Sequence, residues 1–180
     1  MQEQVVIQNQ LNDPTLYDED DDFDAQADKY LLFRISKEIY GIDIKHVKEI
    51  IELQKITEVP DMPEYINGVL NLRGKIIPAM DMRLRFHMEE RMYDSRTCII
   101  IVNVNNKAIG LVVDTVAEVQ DIPLENIEPA PNFKSSNVKE RFISGLAKAE
   151  DDVHIILDVE KIVDIEARAI NKIEEKLNEN

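Results

Sequence analysis

The chain is predicted to be a mainly β protein built of small barrels or a sandwich, and three observations carry that prediction. Short apolar runs recur with turn signals every eight to twelve residues or so, the pattern of barrels and sandwiches rather than of an α/β sheet. Two residue pairs, Arg73-Gly74 and Asn105-Asn106, sit between such runs, where a tight hairpin needs left-handed backbone. Prolines at 60, 63, 123, 129 and 131 break the intervening segments before a long helix can form. Two strand clusters, roughly 30–80 and 97–157, straddle the weakly patterned stretch Glu89–Arg96, and no repeat of fixed spacing relates them.

Taken in order, Tyr30–Ser36 is a strand with apolar residues on both faces, turning at Lys37-Glu38 into a strand over Ile39–Ile44. One helical turn follows. The β-branched pair Ile50-Ile51 then returns the chain to extended structure. Glu64–Asn67 reads as a helical turn closing at Gly68. Val69–Leu72 and Lys75–Ile77 form a hairpin with Arg73-Gly74 at its tip, and Asp81 is the N-cap of a short helix through Phe86. Thr97–Val104 and Lys107–Val116 are two strong strands; Ile143–Ala147 and Val153–Leu157 are two more. Apolar residues at 159, 162, 163, 165, 170, 173 and 177 predict a terminal helix over 159–177.

A length of 180 residues suits one domain or two small ones, at roughly 100–200 residues each. The formal net charge is −15, which disfavours phosphate backbones and anionic membrane surfaces as partners. Residues 1–28 hold nine acids and no base, so this segment is read as a disordered acidic tail. Asp18, Asp20 and Asp22 mimic the start of a calcium loop, but Phe23 and Lys29 stand where Gly and Glu are required. The single cysteine, Cys98, excludes an intrachain disulfide and a cysteine zinc site. The first 28 residues lack the basic start of a secretory signal, and no apolar run approaches the ~18 residues of a membrane span, so a cytoplasmic protein is expected.

No catalytic constellation is present. His46, His87 and His154 are isolated, so no metal or cofactor is expected, and the sequence lacks P-loop, G-x-G-x-x-G and G-x-S-x-G patterns. Cys98 opens an apolar strand as a small buried hydrophobe, and Met62, Met80, Met82, Met88 and Met92 read as adaptable packing. Arg73 is the informative residue. A hairpin tip displays one side chain, and arginine suits bidentate recognition at interfaces.

At these residues the chain resembles the CheW family of bacterial chemotaxis adaptors. The blocks are Val59-Pro60-x-x-Pro63-x-Tyr65-Ile66-x-Gly68-Val69-x-Asn71-Leu72-Arg73-Gly74-x-Ile76-Ile77-Pro78-x-x-Asp81-x-Arg83, with Tyr40-Gly41-Ile42-Asp43-Ile44 before it. Gly110-Leu111-Val112-Val113-Asp114-x-Val116 and Ile127-x-Pro129-Ala130-Pro131 follow, in family order. The module also occurs in CheA and CheV, but their additional domains do not fit in 180 residues, so a stand-alone CheW is expected.

The resemblance implies two intertwined five-stranded SH3-like barrels with short helical turns and a C-terminal α-helix. Together with the acidic composition of residues 1–28 and the apolar spacing from Val159, it divides the chain into the tail 1–28, a domain over 29–158 and the helix 159–177, with barrels at roughly 38–87 and at 29–37 plus 96–157. It also implies a non-catalytic scaffold coupling chemoreceptors to the CheA histidine kinase; the alternative is a like scaffold in a surface-motility or second-messenger pathway. Carried over by position, the receptor-facing groove comprises Val47, Glu49, Gly68, Asn71, Arg73 and Val119. The kinase-facing surfaces are one barrel end around Cys98 and the loop at Glu128, Asn132 and Phe133. Implied partners are the kinase's C-terminal regulatory domain, the cytoplasmic receptor tips and other CheW-like modules in rings, with neither nucleic acid nor membrane insertion. Some relatives carry a base at the position of Glu128 and an acid at that of Asn132, and the common pattern has no counterpart of the acidic tail.

Overall fold

The computed structural model describes residues 26–131, 141–164, 173–175 and 178. The tail reading therefore lies largely outside the described residues, as do Asn132 and Phe133. Eleven strands are present in the described part: β1 (Lys29–Ile35), β2 (Glu38–Asp43), β3 (Val47–Glu52), β4 (Ile66–Leu72), β5 (Lys75–Asp81), β6 (Cys98–Val104), β7 (Lys107–Val113), β8 (Thr115–Asp121), β9 (Ile127–Pro129), β10 (Ile143–Ala149) and β11 (Asp152–Leu157). Two four-residue helices, α1 (Met82–Arg85) and α2 (Val159–Ile162), complete the main elements.

The strands form two sheets. The first has the order β8-β1-β2-β11-β10-β9 and the second β3-β6-β7-β5-β4. Each sheet is antiparallel except for one parallel pair, β2 with β11 and β5 with β7. The second sheet curls until β4 meets the segment that follows β3: the Thr57 N–H donates to the Val69 carbonyl at 2.8 Å, and the Val69 N–H returns the bond at 2.9 Å. The first sheet has a sixth strand beyond the expected five, the three-residue β9.

Three apolar clusters explain the sequence pattern. Leu70, Leu72, Ile77, Ala79, Ile99, Ile101 and Val112 fill the inside of the second barrel. Leu32, Ile122, Ala147 and Ile156 fill the first. A larger shared cluster lies between them, taking Leu31, Phe33 and Ile35 from β1 and Ile100, Val102 and Val104 from β6. Strands β1 and β6 are thus covered on both faces, so their sequences run apolar almost without alternation.

Hairpin chemistry agrees with the sequence. Arg73 and Gly74 have φ of 51° and 84°, and Asn105 and Asn106 have 51° and 63°, the two positive values that a type I′ turn requires. Asp81 caps α1, accepting from the N–H groups of Arg83 at 2.8 Å and Leu84 at 3.2 Å.

Three expectations change. Strands 38–43 and 98–113 exchange barrels relative to the expected division, because β2 pairs with its hairpin neighbour β1 while β6-β7 inserts between β3 and β5. Glu64–Asn67 forms no helical turn: the Ile66 N–H closes a turn onto the Pro63 carbonyl and β4 begins there. The terminal helix stops at Ile162. The Arg85 guanidinium takes the carbonyls of Ile162 at 2.9 Å, Asp164 at 3.0 Å and Lys161 at 3.5 Å, occupying acceptors that a continuing helix would use. Ile173–Glu175 is helical again, with Ile173 buried.

Candidate functional site

The tip of the β4–β5 hairpin projects Arg73 from a rigid base. The Asn71 Oδ1 accepts the Gly74 N–H at 2.8 Å, bracing the turn across its mouth. A non-glycine residue in left-handed backbone is strained by about 1–2 kcal/mol, so the turn keeps it only because its neighbours hold it there. The Arg73 side chain is 71% exposed and donates from Nη2 to the Glu49 carboxylate on β3. That hydrogen bond, with the Coulomb attraction behind it, raises the guanidinium above its ordinary pKa. Since β3 and β4 are the outer strands of the second sheet, this ion pair lies across the seam that the Thr57–Val69 bridge closes.

Gly68 serves the same seam. Its φ is +144°, and a Cβ there would stand 2.0 Å from the Thr57 carbonyl oxygen. Only glycine allows the backbones to approach this closely. Val47 on β3 and Val119 on β8 are partly buried against the shared core, each on an edge strand of its own sheet. The structure therefore brings Arg73, Asn71 and Glu49 into one constellation, sets Val47 and Val119 along the margin between the sheets, and makes Gly68 a backbone requirement.

The second expected surface is different. Cys98 is fully buried, with its Sγ 3.0 Å from the Arg96 carbonyl, so its side chain presents nothing to a partner. The cause is the covering of β6 on both faces. Glu128 is exposed on β9 and pairs with Lys148 on β10. Lys148 is raised above its ordinary pKa by that hydrogen bond and by Coulomb attraction.

Sequence reasoning did not foresee a polar corner beside α1. The Asp114 carboxylate accepts from Arg83 Nε at 2.8 Å and from the Ser36 N–H at 2.7 Å, and Arg91 lies 3.6 Å away. Burial alone would push this carboxyl up. The hydrogen bonds from Arg83 and Ser36, aided by the charges of Arg83 and Arg91, override burial and hold it below the usual range. Nearby, the Tyr93 hydroxyl donates to Asp81 Oδ2 at 2.7 Å and accepts from the Asn67 amide. Burial and the Asp81 contact push that hydroxyl well up. The available signal was Asp81-x-Arg83 and Asp114 ending apolar strands, where isolated charges need partners. Among the described residues no group of three or more His, Cys, Asp or Glu gathers as a metal site, and no helix is long and apolar enough to cross a membrane.

Residues 29–167 match the family model of the CheW-like domain. The chemotaxis protein CheW of Klebsiella aerogenes is 36% identical over 142 residues, covering 79% of this chain and 85% of the relative. The chemotaxis protein CheW of Treponema pallidum is 31% identical over 134 residues, covering 72% and 78%. The crystal structure of the scaffolding protein TtCheW from Thermoanaerobacter tengcongensis superposes with a TM-score of 0.70 at 37% identity, covering 77% of this chain and 94% of that one. With two barrel-like sheets around a shared core and a match through nearly all of the described residues, the chain belongs to the CheW-like domain family.

Proposed function

We propose that this chain couples chemoreceptors to a CheA-type histidine kinase as a non-catalytic scaffold of bacterial chemotaxis arrays. Relatives named as chemotaxis CheW proteins and a scaffolding neighbour support this reading over a motility or second-messenger pathway. In it the protein is cytoplasmic and reaches the membrane only through receptors. The receptor tip lies against Arg73, Asn71 and Glu49, with Val47 and Val119 along the margin. The kinase's regulatory domain uses Glu128 and the adjoining loop with Asn132 and Phe133, and like modules share such contacts in rings.

The observation that carries the receptor assignment is the braced, exposed Arg73 on a strained turn. A turn that tolerates an unfavourable backbone to display one guanidinium is built for recognition rather than for packing. Arg73→Ala tests it, measured for unfolding, for binding to receptor-tip fragments, and for binding to the kinase regulatory domain. Receptor affinity should fall at least tenfold while the thermal midpoint and kinase affinity hold. Equal loss toward both partners would reassign Arg73 to the fold, and no loss would remove it from the site.

A further inference from the structure

β4 advances about 3.3 Å per residue, so Asn67 lies roughly 20 Å from the Arg73 turn along the same hairpin. At that far end the segments around residues 56–67 and 84–93 enclose a cleft of about 830 Å³. Met62 and Met88 line it and pack against the margin of the shared core. Met92 stands at its wall 91% exposed, the most exposed large apolar side chain among the described residues. The wall is not a loose loop. Tyr93 is tied to both Asp81 and Asn67, which fixes the chain one residue beyond Met92.

The charge on the wall is one-sided. Glu58, Glu64, Glu89 and Glu90 line the cleft, and none of them enters an ion pair among the described residues. The arginine beside them, Arg91, is committed to Asp94 at 2.8 Å and to Asp114. Flexible methionines suit an apolar surface that must accept another side chain, and an acidic rim selects a cationic partner while repelling anionic lipid and nucleic acid.

We infer that this cleft docks a basic amphipathic helix of a protein partner. Its apolar side chains seat among Met62, Met88 and Met92, and its lysines or arginines face the glutamates. The surface is separate from the Arg73 tip, so both can be occupied together and each can be tested without the other.

The test uses the full chain and a synthetic twelve-residue Leu/Lys amphipathic helix, with a Leu/Glu peptide of the same pattern as comparison. Binding is measured by calorimetry across salt concentrations. The variants are Glu89→Lys with Glu90→Lys, and Met92→Ala, all at exposed positions. Controls are Glu125→Lys, and Asp20→Lys with Asp22→Lys in the tail. The cleft charge reversal should weaken the Leu/Lys peptide at least tenfold, Met92→Ala about threefold, and the controls less than twofold. Absence of binding, equal binding of the Leu/Glu peptide, or equal weakening by the controls would overturn the proposal.

Discussion

At the scale of single residues, two side-chain choices in the β4–β5 hairpin act in different ways. Gly68 is defined by what it lacks. Gly68→Ala combines a clash with the Thr57 carbonyl and a disfavoured φ, and should destabilise by about 3 kcal/mol, read as a lower urea midpoint at unchanged slope. A loss below about 0.5 kcal/mol would mean the seam is free to open there. Arg73 is defined by what it displays, and its loss should be felt by a partner. Both were marked by the sequence, Arg73 through its turn and Gly68 through the family pattern. Glu49 stood beside Arg73 only through the family pattern, because their ion pair joins residues 24 positions apart across a barrel seam and leaves no mark in local spacing. Cys98 was legible from its own strand, as a small apolar residue opening an apolar run, and coverage of both faces of β6 buries it.

At the scale of elements, α1 shows how four helical residues organise a corner. Met82 enters the shared core, Arg83 reaches Asp114, and Arg85 closes α2 while stacked on Tyr65 at 4.2 Å and Phe142 at 4.7 Å. The N-cap Asp81 was legible because capping is local chemistry. The end of the terminal helix at Ile162 was not, since apolar spacing continues past it and the cause is a guanidinium from the middle of the chain. Asp114→Asn should cost about 2 kcal/mol at neutral pH, the range for hydrogen bonds to charged groups. The carboxyl is held below its unfolded value of about 4, so its stabilisation is complete above that pH and is lost as pH falls through the folded value. The stability gap between wild type and Asp114→Asn should therefore be constant from pH 7 to about 5 and narrow below pH 4. A gap that stays constant to pH 3 would show that charge does not stabilise the corner.

For the whole molecule, the shared cluster makes two barrels one cooperative unit. Ile100 is fully buried within it, on a strand of the second sheet that faces β1 residues of the first. Ile100→Ala should cost about 2–5 kcal/mol. Amide exchange should show β1 and β6 losing protection by equal amounts; loss confined to β6 would mean the barrels open separately. The mainly β class and the presence of two barrels were readable from strand spacing and the family blocks. Which strand joins which barrel was not, because strand pairing over long separations, parallel for β2 with β11 and for β5 with β7, leaves no mark in local periodicity.

That nesting gives the protein an order of assembly during synthesis. All strands of the second sheet lie within Val47–Val113, whereas the first sheet needs β2 and β11, whose partners Ile39 and His154 are about 115 positions apart. The inner barrel has left the ribosome while the outer one still lacks β8–β11. During that interval the face bearing Ile100, Val102, Leu111 and Val113 has only the β1–β2 hairpin available to cover it. A nascent chain stalled before Asp152 therefore carries an adhesive surface and an open β2 edge, the two features that recruit chaperones or nucleate aggregates.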